Sequence, residues 1–168
     1  KGVDLITAKL IREVGGPAAV QWVFLGTGEP KEEKRFSGLA KMFPQSVRVK
    51  TELNLELASL IYGAADIFLV PSRFEPCGLT QLIAMRYGAV PLVRATGGLR
   101  DTVKDGYNGF VFDEFSSQEF SKALRRALKV YTEQPQVWRR IQQHGLDTDV
   151  SWGKSAREYL RLYRSLLR

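Results

Sequence analysis

The stretch Asp66-Ile67-Phe68-Leu69-Val70-Pro71-Ser72-Arg73-Phe74-Glu75-Pro76-Cys77-Gly78-Leu79-Thr80-Gln81 carries an apolar run into a proline-bounded turn and out into a helix. Residues 66–70 are short, apolar and followed at once by a breaker, the pattern of a buried strand. The turn holds a lone carboxylate, Glu75. Gly78 then opens a helix predicted over 79–87, whose first amides have no partner within the helix. A carboxylate therefore stands beside an anion-binding helix start.

Working outward, strand and helix signals take turns along the chain. Residues 4–14 read as a helix, 20–25 as a buried strand ending in Gly26-Thr27-Gly28, and 30–43 as a charged helix. A strand over 46–50, a helix over 55–62, the strand over 66–70 and a strand over 89–93 continue the alternation. Alternation with short connections predicts the α/β class, a doubly wound, Rossmann-like parallel sheet covered on both faces. Ligands in such sheets bind at the carboxyl ends of the strands, where Glu75 to Thr80 and Thr96-Gly97-Gly98 both fall.

Beyond Phe112 only helical periodicity is left. Phe120, Ala123, Leu124, Ala127, Leu128 and Tyr131 share one face, and Ser151 is placed to cap a last helix. That last helix carries Ala156, Tyr159, Leu160, Tyr163 and Leu167 as a stripe expected to be core. A doubly wound sheet ordinarily begins on a strand, yet this chain opens on Lys1-Gly2 and runs directly into a helix. The expectation is a sheet without its first, central strand, and a piece of a longer protein.

At 168 residues the chain fits one domain, which buries roughly 70% of its unfolded surface. No apolar run approaches the roughly 20 residues of a membrane helix, and Lys1 to Asp4 carries no readable export signal, so no membrane partner is expected. The net charge of +7 suits either a nucleic-acid patch or attraction of anionic ligands. Basic residues are scattered and interleaved with acids, as on solvated helix faces, which argues against nucleic acid. One cysteine, Cys77, and one histidine, His144, make no usual zinc site, so no metal is expected.

The chemistry of the turn fits a nucleoside-diphosphate sugar. Amides of Gly78, Leu79 and Thr80 can meet the phosphates, and Gly78 permits close approach. Lys1 and Arg94 are cationic candidates to assist. Glu75 can accept from sugar hydroxyls and face an oxocarbenium-like transition state; the alternative is a cap on the following helix. Thr96-Gly97-Gly98 is a turn that lets backbone approach ligand, whereas Gly26-Thr27-Gly28 lacks the third glycine of a dinucleotide fingerprint and reads as a plain turn. Cys77 has no histidine nearby in sequence and reads as a contact residue rather than a nucleophile.

Phe74-Glu75-Pro76-Cys77-Gly78-Leu79-Thr80-Gln81, Ala84-Met85-Arg86-Tyr87-Gly88, Thr96-Gly97-Gly98-Leu99-Arg100-Asp101-Thr102, Asp105 to Phe110 and Ser151-Trp152 together resemble bacterial glycogen synthases and plant starch synthases. The resemblance implies a retaining glucosyltransferase that uses ADP-glucose, without a cofactor, to extend the non-reducing end of an α-1,4-glucan. It implies the two-domain GT-B arrangement, with residues 1–168 as the carboxyl-terminal, nucleotide-sugar-binding domain and an amino-terminal domain as partner. It further implies Glu75 as the essential acid, Cys77 as a substrate neighbour, Gly78-Leu79-Thr80 at the diphosphate, and Lys1 as the phosphate-pairing lysine. Thr96, Gly97 and Gly98 join the donor site. Bacterial cytoplasm or plastid stroma is the implied compartment. Leu53 departs from the pattern, since the family usually has an adenine-stacking aromatic there. Ala95 and Ser59 stand in place of a basic residue and a histidine, and Ile83 in place of the second glutamate of the broader group. Two other readings share these residues: transfer from a UDP-sugar, and nucleotide or glucan binding without catalysis.

Overall fold

In a computed structural model that describes residues 1–14 and 20–167, the chain alternates short strands and helices. A short 3-10 turn at Val3–Leu5 precedes α1 (Ala8–Val14), β1 (Trp22–Leu25), α2 (Pro30–Met42), β2 (Val47–Lys50), α3 (Leu55–Ala64) and β3 (Ile67–Val70). There follow α4 (Thr80–Arg86), β4 (Val90–Arg94), α5 (Gly97–Thr102), β5 (Phe110–Phe112), α6 (Ser117–Glu133), α7 (Pro135–Leu146) and α8 (Trp152–Leu166). Every strand pair is parallel, as helical crossovers require.

The strands form two sheets. β1 pairs with β2 from Trp22 opposite Val47 to Leu25 opposite Lys50. β4 lies between β3 and β5, with Ile67 opposite Val90 and Leu92 opposite Phe110. Among the described residues β1, β2, β3 and β5 are each hydrogen-bonded on one side only, and β4 alone on both. One apolar core nevertheless spans both sheets: Trp22 and Val47 share it with Val90, Leu92, Phe110, Phe120, Leu124, Trp138 and Ile141. The opposite face of the three-stranded sheet packs Val70 and Val93 against Met85, Leu99 and Val103. Successive β4 residues thus serve opposite faces, and both are covered. Pro91 is accommodated because the Val90 amide faces β3, donating to the Asp66 carbonyl at 2.9 Å, while the ladder to β5 starts only at Leu92.

Three sequence expectations need correction. The predicted helix over 4–14 is broken after Leu5, because Thr7 restarts it: its hydroxyl accepts from the Leu10 amide at 3.2 Å. Thr96-Gly97-Gly98, read as a turn, instead caps and opens α5, and β5 is a strand that three residues cannot announce by periodicity. The stripe on α8 is not core. Ser151 does cap that helix, yet Tyr159, Leu160, Tyr163 and Leu167 are all exposed and α8 buries none of its residues.

Candidate active site at the ends of β3 and β4

The carboxyl ends of β3 and β4 bring the two glycine-containing loops together. After Val70 the chain turns through buried Pro71 and Ser72 to Glu75, which is only 8% exposed. A buried carboxylate requires partners, and it has two. The Lys1 ammonium donates to Glu75 Oε2 at 2.6 Å, and the Ser72 hydroxyl donates to the same oxygen at 3.1 Å. The hydrogen bond from Lys1 holds the Glu75 carboxyl below the usual glutamate range, against the opposing effect of burial and with help from Ser72. Glu75 is therefore an anion at neutral pH. It does not cap α4; no backbone amide of that helix donates to its side chain among the described residues.

Lys1 reaches Glu75 because Gly2 lies flat on the end of β3. A Cβ on Gly2 would fall 1.8 Å from the Pro71 carbonyl oxygen, so only glycine permits this approach. Beside it, Arg73 pairs with Asp4 at 2.6 Å and stacks on Phe115. Arg94, a cationic candidate from sequence, is spent on the frame: its guanidinium donates to the carbonyls of Ser72, Arg73 and Asp113. It fixes the turn before Glu75 instead of presenting a free charge.

Cys77, Leu79 and Thr80 are exposed at the start of α4, and Gly78 is buried beneath them. Among the described residues the amides of Gly78, Leu79 and Thr80 make no hydrogen bond. They remain available to an anion. The second loop folds onto the first: the Gly98 amide donates to the carbonyls of Glu75 and Pro76 at 3.1 and 3.2 Å. Gly97 adopts φ +45°, and a Cβ there would lie 2.1 Å from the Glu75 carbonyl oxygen. Gly98 thus turns its amide inward as framework, while exposed Gly97 and half-buried Thr96 line an open groove with Pro76 and Arg100.

Sequence reasoning missed Ser72, Gln81 and Thr102. Gln81 carried a readable signal, a polar residue on the face shared with buried Ala84 and Met85. Ser72 and Thr102 carried none. Gly26-Thr27-Gly28 is a turn as expected, with the Gly28 amide donating to Glu33 at 2.9 Å. His144 stacks on Tyr107 with ring centroids 3.9 Å apart and lies outside this site. Leu53, just before the cap of α3, is 85% exposed. A second depression, on α8 between Asp149 and Arg161, offers only exposed charged side chains.

Residues 8–144 match the family described as glycosyl transferases group 1. The chain belongs to that family. Among similar proteins, a glycogen synthase of Kosmotoga olearia is 44% identical across 99% of this chain and 36% of its own length. A glycogen synthase of Streptococcus equi is 48% identical across 88% of this chain and 32% of its own length. The catalytic domain of starch synthase IV from Arabidopsis thaliana, solved with ADP and acarbose, superposes with a TM-score of 0.84 at 40% identity, across all of this chain and 36% of that one. The chain thus spans about a third of the length of the relatives it matches. This glycosyltransferase chain carries the doubly wound architecture of its family. Among its described residues no helix is long and apolar enough to cross a membrane.

Proposed function

We propose that this chain is the carboxyl-terminal, donor-binding domain of a two-domain glycogen or starch synthase that transfers glucose from ADP-glucose to the non-reducing end of an α-1,4-glucan. The observation that carries the reading is the ionised Glu75 carboxylate, held between Lys1 and Ser72 at the head of two interlocked glycine loops. In the reaction the bond from glucose C1 to the diphosphate breaks, and the acceptor hydroxyl forms a new bond to C1 with retained configuration while its proton passes to the departing diphosphate. Negative charge builds on the departing ADP while positive charge builds at C1. Glu75 is placed to bind sugar hydroxyls and to stabilise the cationic sugar. The unbonded amides of Gly78, Leu79 and Thr80 stabilise the diphosphate, as fixed dipoles do when they need not reorganise. α4 is only two turns long, so these local amides matter more than its macrodipole.

Lys1 serves both partners in this reading. Its side chain is 72% exposed, so it can swing from Glu75 towards a phosphate while the Glu75 carboxylate keeps Ser72 and takes up sugar hydroxyls. Thr96 and Gly97 border the groove that takes the donor, and Cys77 is its exposed neighbour. An amino-terminal domain supplies the glucan site, and a bacterial cytoplasm is a fitting location given the bacterial glycogen synthases among the relatives.

Leu53 favours a second reading. An exposed aliphatic residue at the expected adenine-stacking position gives little preference for a purine, which keeps a UDP-sugar in play. Calorimetric titration with ADP and then UDP, paired with glucosyl transfer to glycogen in the full natural polypeptide, separates the two. ADP-preferring binding with transfer from ADP-glucose is the expected result. UDP preference with transfer from a UDP-sugar overturns the donor assignment, and binding without transfer from either donor overturns the enzyme.

A further inference from the structure

We propose that Gln81 is a positioning residue which, through Thr102, locks the two glycine loops together and so sets the diphosphate amides relative to Glu75. The inference rests on the donor reading above. Gln81 is fully buried on the inward face of α4, where an amide is tolerated only if it is bonded. Its Nε2 donates to the Gly78 carbonyl at 2.6 Å and to the Thr102 hydroxyl at 3.1 Å. Thr102 Oγ1 in turn donates to the Gly98 carbonyl at 2.7 Å. A continuous side-chain bridge therefore runs from Gly78 in the first loop to Gly98 in the second.

Donor counting fixes the direction of that bridge. The Nε2 group has two protons and uses both, and the single hydroxyl proton of Thr102 is committed to Gly98. Turned over, the amide would press Oε1 against the Gly78 carbonyl oxygen, with no proton between them. In the observed orientation Oε1 is buried without a partner among the described residues. It lies against Gly78, where a Cβ would come within 2.5 Å of it. A mere filler at this position would be a methionine, which has the same reach and leaves no oxygen unbonded. The amide is kept for its donors.

The bridge is the second of two ties. The Gly98 amide holds the Glu75 and Pro76 carbonyls, and Gln81 holds the Gly78 carbonyl, so residues 75–78 are clamped onto α5 at both ends. Neither Gln81 nor Thr102 needs to touch a ligand for its loss to be felt at the amides that bind one.

A double-mutant cycle on the full natural polypeptide, with ADP as the calorimetric probe, tests this. Gln81→Leu and Thr102→Val each weaken ADP binding about tenfold, the effect of one lost hydrogen bond at the upper end of its range. Because both break one bridge, the double variant binds no more weakly than the worse single one. Thr102→Ser, which keeps the hydroxyl, stays within about twofold of the parent by the same logic. In transfer assays the KM for the sugar donor rises while that for glucan does not. Losses that multiply in the double variant, or ADP binding unchanged in folded variants, overturn the proposal. Should Gln81→Leu fail to fold, the contrast between Thr102→Val and Thr102→Ser decides alone. A parent protein that ignores ADP defeats the donor reading itself, and is seen before any substitution is made.

Discussion

Glu75 is ionised because Lys1 and Ser72 outweigh the burial that opposes it. The Glu75→Gln variant keeps the shape and an acceptor for both donors but removes the charge. Transfer by the full natural polypeptide is expected to fall at least about a hundredfold, the scale seen when one electrostatic stabiliser is lost, with a cooperative thermal transition retained at a somewhat lower midpoint. Steady-state kinetics beside a melting curve checks both halves. Lys1→Met removes the largest cause that lowers the Glu75 pKa, leaving burial opposed chiefly by the smaller effect of Ser72. The carboxyl is therefore expected to titrate at higher pH in Lys1→Met than in the parent, as read by carboxyl-carbon NMR. The sign carries over to stability. A depressed folded-state pKa stabilises the protein above the unfolded value of about 4.3, and that gain disappears as pH falls through the folded value. Lys1→Met should accordingly flatten the acid limb of the stability profile. Leu53→Tyr tests the base site: with the ring over adenine, ADP binds about three- to tenfold more tightly, worth roughly one stacking contact. An unchanged ADP affinity would place the base elsewhere.

Among the elements, α5 has the greatest effect for its six residues, because its first turn is packed on the backbone of the Glu75 loop. Gly97→Ala must resolve a 2.1 Å clash with the Glu75 carbonyl and a φ of +45° together. A loss of about 3 kcal/mol or more in urea unfolding is expected, since strain and overpacking add, with ADP binding lost alongside. Gly28→Ala, where a Cβ meets nothing within 4 Å, should be nearly silent. This is also where the sequence was least legible. The long amphipathic α6 and the strands at 22–25, 47–50, 67–70 and 90–94 were readable because their periodicity repeats or their apolar runs end in breakers. α5 begins on Gly97-Gly98, which advertises a turn, and β5 has three residues; neither is long enough to display a period. Glu75 and the amides after it were visible from residue chemistry alone. That Lys1 lies on Glu75 was not, because 74 positions separate them and only the close approach of Gly2 to Pro71 brings them together.

At the scale of the whole molecule, stability is unevenly distributed. The core that joins the two sheets ends with α7, whose Trp138 and Ile141 pack beside Phe110 and Phe120. α8 lies beyond that core, and it carries a long Ser151 cap, 3.4 Å to the Lys154 amide, and an apolar stripe without burying any residue. Trp152 and Leu167 are each 87% exposed, and Tyr159 and Tyr163 more than half so. Side chains left in water contribute almost nothing through the hydrophobic effect, whatever their periodicity. Ending the chain after Asp149 should therefore cost less than about 1 kcal/mol, whereas Phe120→Ala, emptying a fully buried ring from the core, should cost about 3–5 kcal/mol. Urea unfolding of the 168-residue chain, its truncation and the Phe120 variant gives the comparison directly. The same truncation removes a contiguous apolar surface, so it should also reduce concentration-dependent self-association in sedimentation. A large loss of stability on truncation would mean instead that α8 folds back over apolar surface in solution.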